Sequence, residues 1–328
     1  MSSAPRSKLQ VQCSTESNRS DSEVGLLACP RCEKNEWVLD SDRLMRCLSC
    51  GGTLPIENNI IDCLSMGGTL GPTATDWDAF YQGSLKPYSE EADWWTLACW
   101  RKYLFESIIR ALSGELIVDF GCGNAARVAA LAPIQAHAYR YVGVDSSMEA
   151  LKRAAQFLPG AFFVHADLSA MKLKCERADV ALCLGILMYF KEFREPLGKL
   201  LNALKPGGIL LLHEQIRRKS WTQTVRAFFA LPHETYPASF GIQSKELRQC
   251  LVEQGSIIRA HFAGSPLRRV AQKLFDGTPL ERFRPFAAWV DWFWCATVGR
   301  AFPSVGASEI QVVFRKRDKP SSVAAASV

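Results

Sequence analysis

The stretch Val118-Asp-Phe-Gly-Cys-Gly-Asn-Ala125 decides the fold, because it closes one apolar run and opens a segment with helical spacing. Gly121 and Gly123 let the backbone turn sharply and approach a ligand closely. The N-terminus of the helix that follows favours a carboxylate or a phosphate. Taken alone, such a loop is also typical of dinucleotide-binding domains. The stretch therefore predicts a ligand loop between a strand and a helix, and leaves the ligand open.

Three aspartates narrow the choice of ligand. Asp119 lies two residues before the first glycine, where it would repel a pyrophosphate but can pair with an ammonium group. Asp145 ends the second apolar run, where an acidic side chain can accept hydrogen bonds from both hydroxyls of a ribose. Asp167 ends the third run, in a position to accept a hydrogen bond from an adenine amino group. The set favours an adenosine that carries an ammonium group over a dinucleotide.

Outward from this loop, short apolar runs alternate with helical segments. Leucine and other apolar residues recur at helical spacing over 94–112, Ser146 with Glu149 forms a capping-box signature, and Ser244 and Gly255 bracket a further helix. Near-continuous apolar strands separated by helices are typical of a sheet covered on both faces. We predict an α/β, doubly wound fold with a mostly parallel, seven-stranded, Rossmann-like sheet, its strands at 115–120, 139–145, 161–167, 179–185, 208–215, 256–262 and 309–314.

Four of the 12 cysteines form two CxxC pairs, Cys29/Cys32 and Cys47/Cys50, with 14 residues between the pairs. Each pair can place two thiolates on one face of a tight turn, and two such turns complete a tetrahedral Zn²⁺ site. Four thiolates leave no position for water or substrate, so we predict a structural zinc. Four free thiols and a redox-active pair are the alternatives. The other eight cysteines are scattered and are expected to be free thiols in a reducing compartment.

The central segment resembles the class I S-adenosylmethionine-dependent methyltransferases, in the order and spacing of VDFGCGNAARVAALA, YVGVDSS, FVHADLSAM, ADVALCLGILMYF and LKPGGILLLHEQ. The resemblance implies that Asp119 and Gly121 hold the methionine end of the cofactor, that Asp145 binds the ribose, and that Asp167 and Leu168 bind the adenine. The resemblance adds three further residues to the cofactor site: Gly123, Ser146 and Gly185. Gly185 begins the loop that faces the methyl group. Two positions depart from the family pattern: Ala125 replaces a frequent glycine, and Met188-Tyr189 replaces a frequent histidine.

The segment after the second cysteine pair, GGTLPIENNIIDCL, resembles the small zinc-ribbon proteins that activate methyltransferases. The matching residues are Pro55, Ile56, Ile60, Ile61 and Leu64, while Asn59 stands where glycine is more usual. We therefore divide the chain into a disordered start (1–25), a zinc ribbon (26–64), a Gly/Thr/Pro-rich linker (65–75), a methyltransferase domain (76–317, with insertions at 216–243 and 263–308) and a disordered tail (318–328).

The composition is that of an ordinary globular protein, with 48% hydrophobic and 22% charged residues among 328. The longest apolar stretch, 286–299, is interrupted by Asp291 and is too short to span a bilayer. The first 25 residues are polar and Ser-rich, unlike a signal peptide. We therefore expect a cytoplasmic protein with no membrane insertion. The composition leaves the oligomeric state open.

Methyl transfer from a sulfonium depends mainly on positioning, and a base is required only where the acceptor loses a proton early. His213, near the end of the fifth predicted strand, is the candidate catalytic base, with a role as a hydrogen-bond donor to substrate as the alternative. The insertion 263–308 is rich in aromatic residues that could line an apolar substrate pocket, pack on the zinc ribbon, form a dimer surface or be a buried helix pair.

Three readings of the function follow. The first is transfer to a small-molecule acceptor, favoured by the aromatic insertion and by the absence of long basic runs. The second is an RNA methyltransferase that grips RNA with the zinc ribbon, consistent with the net charge of +6 and with short basic clusters at 217–219, 268–269 and 315–317. The third is a non-catalytic binding module, which the intact aspartates disfavour. We expect the first.

Overall fold

The computed structural model describes residues 26–41, 43–66, 74–82, 108, 115–131, 140–169, 171, 173–217, 240–265, 268, 271, 274–275, 278–302 and 307–318. The segments predicted as disordered ends, the linker after residue 66, most of the helix at 94–112 and most of the insertion at 216–243 lie outside these residues.

Eleven strands of the described chain form one sheet, in the order β1-β2-β3-β4-β7-β6-β5-β8-β9-β11-β10. The prediction of seven strands is therefore wrong as a count for the sheet, because four strands of the N-terminal segment extend it. The strands are β1 (Trp37–Ser41), β2 (Leu44–Cys47), β3 (Thr53–Glu57), β4 (Ile60–Asp62), β5 (Leu116–Phe120), β6 (Arg140–Asp145), β7 (Phe162–His165), β8 (Ala178–Leu184), β9 (Leu204–Gln215), β10 (Gly255–Ala263) and β11 (Glu309–Lys316).

The sheet is mixed rather than mostly parallel. Its centre is parallel, from β4 through β7, β6, β5 and β8 to β9. Both flanks are antiparallel, with β1 to β4 on one side and β9, β11 and β10 on the other. The carboxyl ends of the parallel strands thus share one edge, where ligands bind in open α/β sheets.

Helices cover both faces of the sheet, as the apolar runs predicted. Leu151 and Ala154 of α3 pack with one buried cluster, which includes Ile117 of the central strand. Leu200 of α4 and Leu251 of α5 pack with the cluster on the opposite face. The helices are α1 (Ala74–Tyr81), α2 (Ala126–Leu131), α3 (Met148–Phe157), α4 (Arg194–Ala203), α5 (Ser244–Gln254) and α6 (Arg284–Trp294). Within the described residues, no helix is both long and apolar enough to cross a membrane.

Helix α3 begins one residue later than its sequence signature predicted. The cap is Ser147, not Ser146, and its hydroxyl accepts a hydrogen bond from the Ala150 amide at 3.1 Å. The same hydroxyl donates to the Asp78 carboxylate of α1 at 2.6 Å, and Asp78 also accepts from the Glu149 amide at 3.3 Å. A side chain about 70 residues earlier in the chain thus completes the cap, and it fixes α1 beside the amino end of α3.

The N-terminal strands join the sheet through β4. Ile60, Ile61 and Asp62 pair in parallel with Phe163, Val164 and His165 of β7. Ile61 is fully buried in the core formed by the rest of the sheet. Burying one such side chain contributes about 1.5–3 kcal/mol. The N-terminal module is therefore part of the same hydrophobic core, and its last strand covers what would otherwise be an exposed edge of the parallel sheet.

Candidate functional site

The glycine loop joins β5 to α2 and closes against β6. The amides of Gly121 and Cys122 donate to the Val144 carbonyl at 2.8 and 3.1 Å. Gly121 and Gly123 both have left-handed backbones, with φ of +66° and +53°. A Cβ atom at Gly121 would overlap the Ile186 side chain, and one at Gly123 would overlap the Tyr81 hydroxyl. The two glycines are thus needed for backbone conformation and for close approach.

Ala125, the departure from the family pattern, also has a left-handed backbone, with φ of +54°. An alanine in this conformation is less stable than a glycine by roughly 1–2 kcal/mol. Its methyl group is buried among apolar side chains, which offsets part of that cost. The loop therefore keeps the shape that a third glycine would give it.

Asp119 lies at the carboxyl end of β5 and is 2% exposed. Its Oδ2 accepts a hydrogen bond from the Tyr141 hydroxyl at 2.6 Å, while its Oδ1 is buried without a hydrogen-bond partner among the described residues. Burial raises the pKa of the Asp119 carboxyl to about 7, against the lowering effect of Tyr141. A buried carboxylate oxygen without a donor costs free energy. Its position fits a ligand that brings a cation or a donor.

Asp145 ties the glycine loop to the next strand. Its Oδ2 accepts from the Gly123 amide at 2.8 Å and its Oδ1 from the Ser147 amide at 2.9 Å. Burial raises the pKa of the Asp145 carboxyl, and these backbone donors oppose that shift. Because each carboxylate oxygen has two lone pairs, both can still accept a hydrogen bond from a ligand hydroxyl. Ser146 lies in the chain between Asp145 and Ser147, whose amide Asp145 binds.

The structure places the other predicted cofactor residues at the same edge. Asp167 follows β7, and its Oδ1 accepts from the Ser169 amide at 2.8 Å and hydroxyl at 2.7 Å. Leu168 lines a narrow apolar pocket together with Phe120 and Ile186. Gly185 follows β8 with φ of +85°, and no atom lies within 4 Å of the position that its Cβ would take. The predicted set is thus gathered along the carboxyl ends of β5 to β8.

Glu214 lies at the candidate site, although the sequence pattern did not predict a role for it there. It is buried, and it accepts hydrogen bonds from the amides of Ile186, Leu187 and Met188 at 3.0, 3.0 and 3.1 Å. Burial raises the pKa of the Glu214 carboxyl to about 7, and the three amides oppose this. The carboxylate holds the turn after Gly185 in place. A carboxylate in an otherwise apolar strand was its only sequence signal.

His213, the candidate base, lies in β9 on the opposite face from Glu214. Its Nε2 lies 3.0 Å from Oε2 of Glu309, and Nη1 of Arg268 donates to the same oxygen at 3.0 Å. Although burial alone raises the pKa of Glu309, Arg268 and His213 lower it well below its usual range. The three side chains form a hydrogen-bonded group at the carboxyl edge, next to Leu184, which pairs with His213.

Residues 118–212 match the model of a methyltransferase domain family. The chain thus contains a segment that is similar to methyltransferase domains. Over 96 residues (29% of the chain), it is 35% identical to trans-aconitate 2-methyltransferase of Azoarcus sp. (strain BH72). The match spans 37% of that relative, so the chain covers about a third of the length of this curated protein.

Among solved structures, the chain is similar to the [4+2]-cyclase SpnF, at 16% identity with 77% of this chain and 100% of that chain covered and a TM-score of 0.48. It is also similar to a complex of the Haloferax volcanii Trm112 methyltransferase activator with a methyltransferase (15% identity, 75% and 96% covered, TM-score 0.47). A third is the N-methyltransferase NodS from Bradyrhizobium japonicum WM9 with S-adenosyl-L-homocysteine (14% identity, 75% and 99% covered, TM-score 0.47).

The four predicted metal ligands also come together, in the N-terminal module that precedes the segment matched by that family. The Sγ atoms of Cys29, Cys32, Cys47 and Cys50 all lie within 4.8 Å of one another. Two of the separations are 3.7 and 3.6 Å. Zn–S bonds of ~2.3 Å in a tetrahedron require S···S separations of about 3.8 Å. The cluster therefore fits a four-thiolate zinc site.

One side chain of the N-terminal module reaches the candidate cofactor site. Oδ1 of Asp62, at the end of β4, lies 3.0 Å from Nδ1 of His165, and Nε2 of His165 lies 3.2 Å from the Ser146 carbonyl. No sequence pattern predicted the contact between Asp62 and His165, because it depends on the parallel pairing of β4 with β7.

Asp62→Ala is expected to weaken the binding of S-adenosylhomocysteine about three- to tenfold, because His165 loses the partner that orients it toward the Ser146 loop. This magnitude corresponds to the loss of one hydrogen bond, which contributes roughly 0.5–1.5 kcal/mol. Asp62→Asn keeps an acceptor oxygen and should retain most of the affinity. Calorimetric titration measures both, with Asp40→Ala as the control. Asp40 pairs with Arg46 at the exposed end of the same module. Equal affinity in Asp62→Ala and Asp40→Ala would rule out the positioning role.

Proposed function

We propose that this protein is a class I S-adenosylmethionine-dependent methyltransferase that acts on a small-molecule acceptor. The observation that carries the proposal is the buried Asp119 oxygen without a partner, beside a glycine loop within the segment that matches methyltransferase domains. An aspartate there opposes a pyrophosphate and suits an ammonium group.

The remaining residues fit the rest of the cofactor. Asp119 would hold the ammonium group, with Gly121 and Gly123 leaving room for the methionine end, and Asp145 would accept from the ribose. Asp167 and Leu168 would bind the adenine, with Ser146 and Gly185 completing the site. When bound, S-adenosylmethionine supplies a methyl group on a positively charged sulfur, an electrophile that an acceptor lone pair attacks in line.

The protein's own contribution is mostly positioning, for which about 7–11 kcal/mol of the barrier is available. Glu214 fixes the turn that follows Gly185, and so the wall of the site. We assign His213 as the base for an acceptor that must lose a proton. Glu309 stabilises the protonated ring that a base becomes after accepting a proton, and Arg268 keeps Glu309 ionised.

We propose Zn²⁺ as the structural metal of the cysteine cluster, with Cys29, Cys32, Cys47 and Cys50 as its ligands. The matching sulfur separations support this. Four thiolates would fill all four coordination positions of the Zn²⁺ ion. The metal would therefore stabilise the module and not take part in the reaction. A cytoplasmic location is part of the proposal, since such a site needs reduced cysteines.

Two observations favour a small acceptor over RNA. Arg268, from one basic cluster, is buried in the ion pair with Glu309 instead of facing solvent. Arg315 pairs with Ile209 of β9, at the end of this strand pairing that lies away from the carboxyl end of β9 and the candidate site. The relative named trans-aconitate 2-methyltransferase acts, by its name, on a small acid, which supports the same choice.

Titration calorimetry with the purified full chain tests the cofactor assignment. We expect S-adenosylhomocysteine to bind with one molecule per chain, and NAD⁺, the matched dinucleotide control, to give no binding heat. Binding of NAD⁺ without binding of S-adenosylhomocysteine would overturn the proposal in favour of a dinucleotide-binding domain.

A further inference from the structure

Described residues of the insertion between β10 and β11 line a cavity that the cofactor does not need. We propose that this cavity binds the methyl acceptor, and that the acceptor is a small neutral molecule with one or two fused apolar rings and a polar group at one end. That this ligand is the methyl acceptor rests on the proposed function. Its size and polarity are inferred from the cavity alone.

The cavity has a volume of about 210 Å³ and mostly apolar walls. Helix α6 supplies Phe286, Ala287 and Val290, which share one helix face by their spacing. Ala271, Leu274 and Phe275 form the opposite wall. An apolar cavity of ~150 Å³ binds benzene, and drug-sized ligands occupy ~300 Å³ or more. The volume therefore suits one or two fused rings.

Two buried charged side chains mark one end of the cavity. Asp291 is 3% exposed, and its Oδ1 accepts from the Ser265 amide at 2.8 Å. Arg268 is 6% exposed and is paired with Glu309 at 3.0 Å. Because Arg268 already has an anionic partner, a charged ligand would leave a buried charge unbalanced. A neutral ligand with a hydroxyl or similar polar group at this end is favoured.

The polar end connects to the candidate transfer site. Glu309 accepts from Arg268 and contacts His213 through the same oxygen. His213 pairs with Leu184, and Gly185 is the next residue. A polar group beside Arg268 would thus be separated from the assigned base by one carboxylate, on the carboxyl edge of the sheet.

The other end opens to solvent along an apolar rim. Leu274 is 52% and Phe286 is 64% exposed. Trp289 stacks on Phe286 with ring centroids 6.3 Å apart. An exposed aromatic rim on an apolar cavity is typical of a ligand entrance. Phe286 and Trp289 are thus more exposed than a buried helix pair would leave them.

Binding of 2-naphthol, a two-ring neutral probe, tests the cavity by calorimetry on the full chain. Ala287→Phe fills the cavity and should weaken binding at least tenfold. Ala288→Phe is the matched control, because Ala288 does not line the cavity, and it should bind as the wild type does. Ala271→Phe fills the cavity from the opposite wall, so the test stands even where Ala287→Phe fails to fold.

Failure of the wild type to bind 2-naphthol, or equal binding by the wall variants and the control, would overturn the proposal. The titration with S-adenosylhomocysteine is a separate measurement, so loss of the proposed function and loss of this site are distinguishable. In an assay with methyl-labelled S-adenosylmethionine and an extract of the organism, 2-naphthol should reduce labelling of the compounds that are labelled without it in the organic fraction. Tight binding of 2-naphthol without this reduction would overturn the acceptor assignment.

Discussion

Asp119→Asn is expected to weaken the binding of S-adenosylhomocysteine about thirtyfold and, at the same time, to make the folded protein more stable at pH 8. The binding loss follows because a hydrogen bond to a charged group contributes roughly 1.5–3 kcal/mol, and asparagine removes the charge that pairs with the ammonium group. The stability gain follows because the wild-type carboxylate is buried with one oxygen unpaired.

The pH dependence has a definite sign. Burial raises the pKa of Asp119 from 3.8 to about 7 in the folded protein, so between these values the folded state binds more protons than the unfolded state. Stability conferred by the protonated carboxyl is therefore lost as pH rises from about 4 to 7, to a total of up to about 4 kcal/mol. Asparagine does not titrate, so the variant should gain on the wild type over this range.

Chemical denaturation at pH 5 and pH 8 measures the effect, and calorimetry measures the affinity. Tyr141→Phe is the matched control, because it removes the hydrogen bond to Asp119 and keeps the charge. It should lower stability at pH 8 and retain most of the affinity. An Asp119→Asn variant that binds S-adenosylhomocysteine as tightly as the wild type would remove Asp119 from the site.

Cys47→Ser is expected to reduce the zinc content from one ion per chain to almost none and to unfold the N-terminal module. Structural zinc contributes on the order of 10 kcal/mol or more to the folding of such small modules. Since β4 pairs with β7 and Ile61 packs into the common core, the melting temperature of the whole chain should fall as well.

Elemental analysis and thermal unfolding measure these changes. Cys175→Ser is the control, because Cys175 is exposed and lies outside the cluster. It should keep both the metal and the melting temperature. Removal of zinc by a chelator should reproduce the effect of Cys47→Ser in the wild type. Full zinc content in the Cys47→Ser variant would contradict the four-thiolate assignment.

Local pattern was sufficient to predict much of this fold. All seven apolar runs are strands, and helices lie on both faces. The strands were predictable because near-continuous apolar character indicates burial on both faces of a sheet. The helices were predictable because the segments between the runs have helical periodicity. The cysteine spacing likewise placed four sulfur atoms together.

Long-range contacts were not predictable in the same way. β4 has only three residues, and nothing in them indicates that they pair with β7, about 100 residues later. The cap of α3 shifted to Ser147 because Asp78, from a distant helix, bonds to it. Glu214 accepts hydrogen bonds from three backbone amides of a turn, which its place in an apolar strand does not indicate. Each depends on tertiary structure that no local pattern encodes.

The most direct test of the proposed function uses S-adenosylmethionine labelled on its methyl group. The purified protein is incubated with an extract of its organism, and the label is followed into organic-soluble, RNA and protein fractions, with Asp119→Asn as the control enzyme. We predict label in the organic-soluble fraction that depends on the wild-type protein and is strongly reduced with the variant. Label that appears in RNA and not in the organic fraction would contradict the small-molecule assignment and support the hypothesis of an RNA methyltransferase.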